Sequence, residues 1–187
     1  MPRQTVQTWI TAHENRLRAP NYNAETAQRI ARNRVAILRA LHQGGVRVLM
    51  GTDAPQQCSV PGFSIHRERS TMAESGMSPF EILVSGTRNV GAYFAGSDRF
   101  GLVAPGHRAD LLLLDANPLQ SLGALQQRSG VMVRGRWIPE SEIRAGLERI
   151  AASARDGTAG TRDSGLGTRE HPREPSPSVA RGLLGME

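Results

Sequence analysis

Val46-Arg47-Val48-Leu49-Met50-Gly51-Thr52-Asp53 is the stretch on which the reading of this chain turns. Val46, Val48, Leu49 and Met50 make a short apolar, partly β-branched run, which is strand chemistry. The run follows a helical pattern that stops at Gly44-Gly45, and it breaks at Gly51. A helix, a tight break and a buried strand form an α/β unit with a parallel sheet. Such strands carry chemistry at their carboxyl ends, so Asp53 stands where a catalytic side chain is expected. The competing reading of Asp53 is a carboxylate that caps the loop after a strand.

Upstream, Asn23 is a suitable N-cap. Ala27, Ile30, Ala31, Val35, Leu38 and Leu41 then recur at three- and four-residue spacing, which predicts an amphipathic helix closed by Gly44 and Gly45. Residues 1–22 read as a polar, irregular connector with Trp9 and Ile10 as a buried pair. Downstream, Ala54 to Ser64 is a loop with Pro55, Pro61 and Gly62, followed by a short helix from about His66 to Ser75. Ser78-Pro79-Phe80-Glu81 predicts a capped helix start, with Phe80, Leu83, Thr87, Val90 and Phe94 on one face and Gly96 at its end.

After Asp98 the pattern changes. Phe100 to Val103 reads as a strand closing on Pro105-Gly106, a pair suited to a type II turn. Ala109 to Asp115 is an apolar run of strand length bounded by turn signals. Val131-Met132-Val133, Arg134-Gly135 and Arg136-Trp137-Ile138 form a hairpin pattern, and Pro139 to Ala151 a last short helix. Strands without long intervening helices describe a small β layer. From about Ala152 the chain turns to Gly, Arg, Ser, Thr and Pro, a composition expected to be disordered.

The chain has 187 residues, 39% hydrophobic and 21% charged, a globular balance, yet it is short for a complete (β/α)8 barrel of about 250 residues. Its formal net charge of +6 comes entirely from arginine, because there is no lysine. Five arginines and five acidic residues cancel after Ala151, so the excess lies before it. The arginines are spread, and Arg29, Arg32 and Arg39 are expected on a solvated helix face, so no nucleic-acid partner is expected. Cys58 is the single cysteine, which excludes a disulfide framework and fits a reducing cytosol. It has no activating neighbour in sequence and is not expected to be a nucleophile. No signal-peptide core and no run of about 18 apolar residues occurs, so a cytoplasmic protein without a membrane partner is expected.

The ordered motifs carry a family resemblance. Gly51-Thr52-Asp53-Ala54, Pro61-Gly62-Phe63-Ser64-Ile65-His66-Arg67-Glu68, Ala73-Glu74-Ser75-Gly76-Met77-Ser78-Pro79 and Thr87-Arg88-Asn89 occur in sequence. They are followed by Phe100-Gly101, Val103 to Leu111 and Asp115-Ala116-Asn117-Pro118-Leu119. Over roughly residues 24 to 138 this resembles the C-terminal part of a metal-dependent amidohydrolase of the imidazolonepropionase-like and prolidase-like branch. The resemblance implies the last helix and strand of a (β/α)8 TIM barrel with the helices that follow (residues 1–98). Part of a small composite β-sandwich (99–151) and the tail (152–187) complete the division.

It also implies hydrolysis of a carbon-nitrogen bond in a small-molecule amide, such as an acyl-amino acid, a dipeptide or a cyclic amide. A divalent metal, commonly zinc, would lower the pKa of bound water toward ~7. The family's ligands are a His-x-His pair, a Lys or Glu, two further histidines and an Asp, and only the Asp maps here, onto Asp53, as metal ligand and proton shuttle. His13, His42, His66, His107 and His171 form no His-x-His pair. The chain is therefore expected to be a truncated hydrolase, or a non-catalytic module that forms a homo-oligomer or pairs with a complementing chain. His66 is either a substrate contact or a histidine making a local hydrogen bond. Glu68 is expected in a structural ion pair or hydrogen bond, and Arg108 and Asp110 in the β layer. His107 is expected in a solvated turn, and Gly51 where backbone approaches closely. Arg69 stands where family members usually carry an apolar residue.

Overall fold

Local signals build the helices. The computed structural model describes residues 1–155. Helix α1 spans Arg3–Arg18 and α2 spans Ala24–Gln43. The Asn23 side chain accepts from the Thr26 amide at 2.8 Å, and the Gly44 amide donates back to the Ala40 carbonyl, so α2 starts and stops as its sequence predicts. Helix α1 corrects the expected irregular connector. Its apolar residues are sparse, and Val6 and Ile10, one turn apart, are both exposed while Trp9 is half-buried. The expected Trp9–Ile10 pair is therefore absent, and the helix packs on little.

Val46 to Asp53 takes up no regular secondary structure and has no strand partner among the described residues. A strand is defined by its ladder, and here the backbone is held from one side instead. The Met50 amide donates to Ser85 O at 3.2 Å, and the Asn89 side-chain amide donates to Val48 O at 3.0 Å. Both partners come from the helices that follow, α4 (Pro79–Gly86) and α5 (Arg88–Tyr93).

Helix α3, Ile65–Glu74, enters the packing through Met72. Met72, Met77 and Ile82 form the buried cluster, with Leu38, Val48, Met50 and Leu122 against it. Arg39 of α2 donates to the Ser75 and Glu74 carbonyls at 3.1 and 3.0 Å, capping the open end of α3. Arg29, Arg32 and Arg39 are all exposed as expected, and the cap on α3 is an addition to the solvated face of Arg39. The core stays small. Ile37 keeps 59% of its surface exposed, Val46 52% and Leu49 39%, so apolar side chains on α2 and on the segment after it lie open.

Helix α4 begins with the predicted capping box. The Ser78 hydroxyl accepts from the Glu81 amide at 3.3 Å, and the Glu81 carboxylate accepts from the Ser78 amide at 2.7 Å. The hydrogen bonds from Ser78, side chain first and then backbone, hold the Glu81 carboxyl below its usual range. Ser78→Ala is expected to destabilise the chain by about 1 kcal/mol. Urea unfolding checks this, and an unchanged midpoint would contradict it.

The single long helix expected after Ser78 breaks at Thr87, whose hydroxyl donates to Leu83 O at 2.6 Å. The buried face is Ile82 and Ser85, and Phe80 is exposed. Phe100 to Val103, expected as a strand, is irregular, because Gly101 adopts φ +85° against the Thr87 carbonyl.

The β layer has three antiparallel strands in the order β1-β2-β3: Leu111–Leu114, Arg128–Val133 and Arg136–Pro139. Val131 pairs with both Leu112 and Ile138, and a register shift falls between Leu113 and Leu114. Arg134 and Gly135 both have positive φ, 50° and 84°, the requirement of a type I′ hairpin turn. Pro105-Gly106 forms its expected turn, with Gly106 at φ +77° and the His107 amide donating to Ala104 O. A short 3-10 helix, Leu122–Gln126, precedes β2, and α6 runs over Glu140–Arg155, past the expected boundary at Ala152. The remainder of the tail expected to be disordered, residues 156–187, lies outside the described residues.

Candidate active-site residues

Asp53 ends the apolar segment with its backbone in the left-handed region, φ +51°, which Asp tolerates better than most residues. Its carboxylate is exposed and accepts a hydrogen bond from the Gln56 side-chain amide. The loop around it is pinned. The Ala54 amide donates to the Thr52 hydroxyl at 3.3 Å, Ser59 Oγ donates to Thr52 O at 3.2 Å, and Gln56 and Ser59 exchange backbone hydrogen bonds. Asp53 is thus a presented carboxylate on a braced turn, with a neutral donor as its partner. Gln56 was not legible as that partner in the sequence; its one cue is a three-residue separation across a proline-containing turn.

The other acidic and imidazole groups do not gather around it. His42 lies 3.4 Å from Glu81, and His13 is exposed on α1. His107 is half-buried, with a buried Nδ1 that has no hydrogen-bond partner, which corrects its expected solvation. His171 lies outside the described residues. Among the described residues no three of His, Cys, Asp or Glu come close enough to hold a metal ion. A catalytic zinc takes about three protein ligands and an open position, so these residues do not fit a metal centre by themselves.

His66 sits in the first turn of α3, half-buried, with Nδ1 fully covered and unpartnered. Burial first, then the charges of Arg69 and Arg128, hold its pKa below the ordinary histidine value of about 6.5. The sign follows. The unfolded chain takes the proton more readily, so the stability present above about 6.5 is lost as pH falls from there toward the folded-state value. Replacing His66 with Gln is expected to remove that component of the acid destabilisation. Melting curves of both proteins from neutral pH down to about pH 5 test this, and parallel pH profiles would contradict it.

Arg108 and Asp110 are structural, as expected. Arg108 pairs with Asp98 and, through Nε at 2.6 Å, with Asp110, and its guanidinium lies 4.6 Å from the Phe100 ring centroid. The Arg134 amide and then the Arg108 guanidinium hold the Asp110 carboxyl below the usual range. Glu68, expected in an ion pair or hydrogen bond, takes part in no ion pair among the described residues. Gly51 meets no close backbone there, since a Cβ would find nothing within 4 Å. Cys58 is exposed and free.

The sequence model described as "Amidohydrolase family" matches residues 5–138. The chain belongs to the amidohydrolase family. The matched span takes in α1, upstream of the motifs that first suggest the family. Among solved structures, this amidohydrolase chain is similar to a putative prolidase from Bifidobacterium longum. The two are 31% identical at a TM-score of 0.50, over 63% of this chain and 30% of that one. A Xaa-Pro dipeptidase with methionine bound in its active site shares the fold at 22% identity and a TM-score of 0.54, over 72% of this chain and 33% of that one. The chain therefore spans about a third of the length of these structures. No protein of curated function matches it. No described helix is long and apolar enough to cross a membrane.

Proposed function

We propose that the chain is the C-terminal portion of a hydrolase acting on carbon-nitrogen bonds, with a dipeptide or a cyclic amide as substrate. The segment from Val46 to Asp53 then serves as the last strand of a (β/α)8 barrel, and β1 to β3 as part of a composite sandwich. The observation that carries this reading is the exposed Asp53 carboxylate, braced at the end of an apolar segment in an amidohydrolase chain. Asp53 takes a proton from the attacking water and returns it to the leaving nitrogen. Family members use a divalent metal, and zinc is the ion proposed here. The described residues offer it one carboxylate, so its other ligands belong to other chain elements. His66 Nδ1 is covered and has no hydrogen-bond partner, so neither a local hydrogen bond nor a substrate contact is supported at that atom.

A second reading has its own observation. The exposed apolar side chains Ile37, Val46 and Leu49 support a module that pairs with a polypeptide carrying the remaining strands. One experiment addresses both. Xaa-Pro dipeptide hydrolysis is measured with the purified chain alone and after co-expression with a polypeptide supplying the other two thirds of an amidohydrolase fold. The proposal expects turnover only in the combined sample. Turnover by the chain alone would overturn the need for completion, and a stable combined complex without turnover would leave the module reading in place of the enzyme reading.

A further inference from the structure

Arg69 is the most buried charged side chain among the described residues, 6% exposed, and its Nη1 has no hydrogen-bond partner. A guanidinium carries five donors and cannot shed its proton, so burial without a counter-charge is among the costliest arrangements a core can hold. No described carboxylate lies within ion-pair distance of it. His66, three residues earlier and hence on the same face of α3, also has a buried and unpartnered Nδ1. Arg128 of β2 stands close enough for its charge to reach the His66 ring, but its own counter-ion is already present: Arg128 Nε lies 2.7 Å from Glu140 Oε2. This face of α3 thus holds two basic side chains with orphaned nitrogens and no carboxylate in ion-pair contact among the described residues.

We infer that Arg69 and His66 form a binding site for a small oxyanion, a phosphate or a carboxylate, on the buried face of α3. The guanidinium edge is suited to two parallel hydrogen bonds with such a group, and the imidazole supplies a third donor. Nothing in this site depends on Asp53 or on completion of the barrel.

The test uses the full chain with inorganic phosphate, acetate and chloride at matched ionic strength. Phosphate or acetate at about 10 mM is expected to raise Tm by roughly 3–5 °C more than chloride does, the response of a site half-filled near 1 mM. In Arg69→Leu the anion-specific rise is expected to vanish, while the melting temperature without anion equals or exceeds that of the unsubstituted chain. Should that variant fail to fold, the unsubstituted chain still decides the matter: the His66 ring resonances must shift with phosphate, and the phosphorus signal of phosphate must broaden. A Tm response equal to that of chloride, an unchanged response in a folded Arg69→Leu, or silent His66 and phosphorus signals would overturn the site.

Discussion

Asp53→Asn, introduced into any assembly that hydrolyses a carbon-nitrogen bond, is expected to lower kcat by about 100- to 10,000-fold, the usual weight of a positioned proton-transfer group. The substitution isolates chemistry from structure. Asn keeps the shape of Asp and one carbonyl oxygen, so it can still accept from Gln56, and it tolerates the left-handed backbone at φ +51°. The side chain is exposed and carries no ion pair among the described residues, so the melting temperature should barely move. What disappears is the charge and the capacity to take a proton. Gln56→Ala provides the graded comparison, since it removes the donor that orients the carboxylate and leaves the carboxylate in place. It is expected to reduce kcat far less. Steady-state kinetics of the two variants check the pair of expectations. Near-normal turnover in Asp53→Asn would reduce Asp53 to a loop cap.

Gly91→Ala is expected to destabilise the chain by about 2–3 kcal/mol, at the upper end of what overpacking one methyl costs. A Cβ on Gly91 would stand 2.1 Å from the Phe100 carbonyl oxygen and 3.0 Å from its carbon, both backbone atoms that cannot rotate away. The opposing segment cannot retreat either. Gly101 presses on the Thr87 carbonyl, and its φ of +85° is a conformation that other residues adopt with strain. Two glycines on facing segments therefore let α5 and the residue 100–101 loop touch backbone to backbone. This contact joins the helices that brace Val46 to Asp53 to the chain that leads into the β layer. Gly96→Ala is the control, because nothing lies within 4 Å of its would-be Cβ. Chemical unfolding should separate the two variants clearly. Equal stabilities would show that the close approach contributes nothing.

Much of this architecture is written in local chemistry. Asn23 and Gly44 bound α2, Ser78 and Glu81 start α4, and Arg134-Gly135 turns β2 into β3, each through contacts within a few residues. The misses share a cause of the opposite kind. Val46 to Asp53 has strand composition but no ladder, because a strand needs a neighbour and none is among the described residues. Phe100 to Val103 looks like a strand, yet Gly101 is committed to Thr87, 14 residues away in sequence. Arg39 is exposed as its helix face predicts, but its cap on α3 depends on a contact 36 residues away, and the one cue to the burial of Arg69 is the apolar residue that family members usually carry there. The site follows the same rule. The place of Asp53 at the end of the apolar run is legible from the order of the motifs, whereas its Gln56 partner, its left-handed backbone and the covered Nδ1 of His66 depend on the folded loop and the packing of α3.

The central claim is that this amidohydrolase chain presents one carboxylate of a hydrolytic centre and does not form that centre alone. Metal stoichiometry of the purified 187-residue chain, after equilibration with zinc and removal of loosely bound ion, tests this most directly. The account predicts far less than one ion per chain and no hydrolysis of a Xaa-Pro dipeptide. One tightly bound ion per chain, accompanied by carbon-nitrogen hydrolysis, would contradict it.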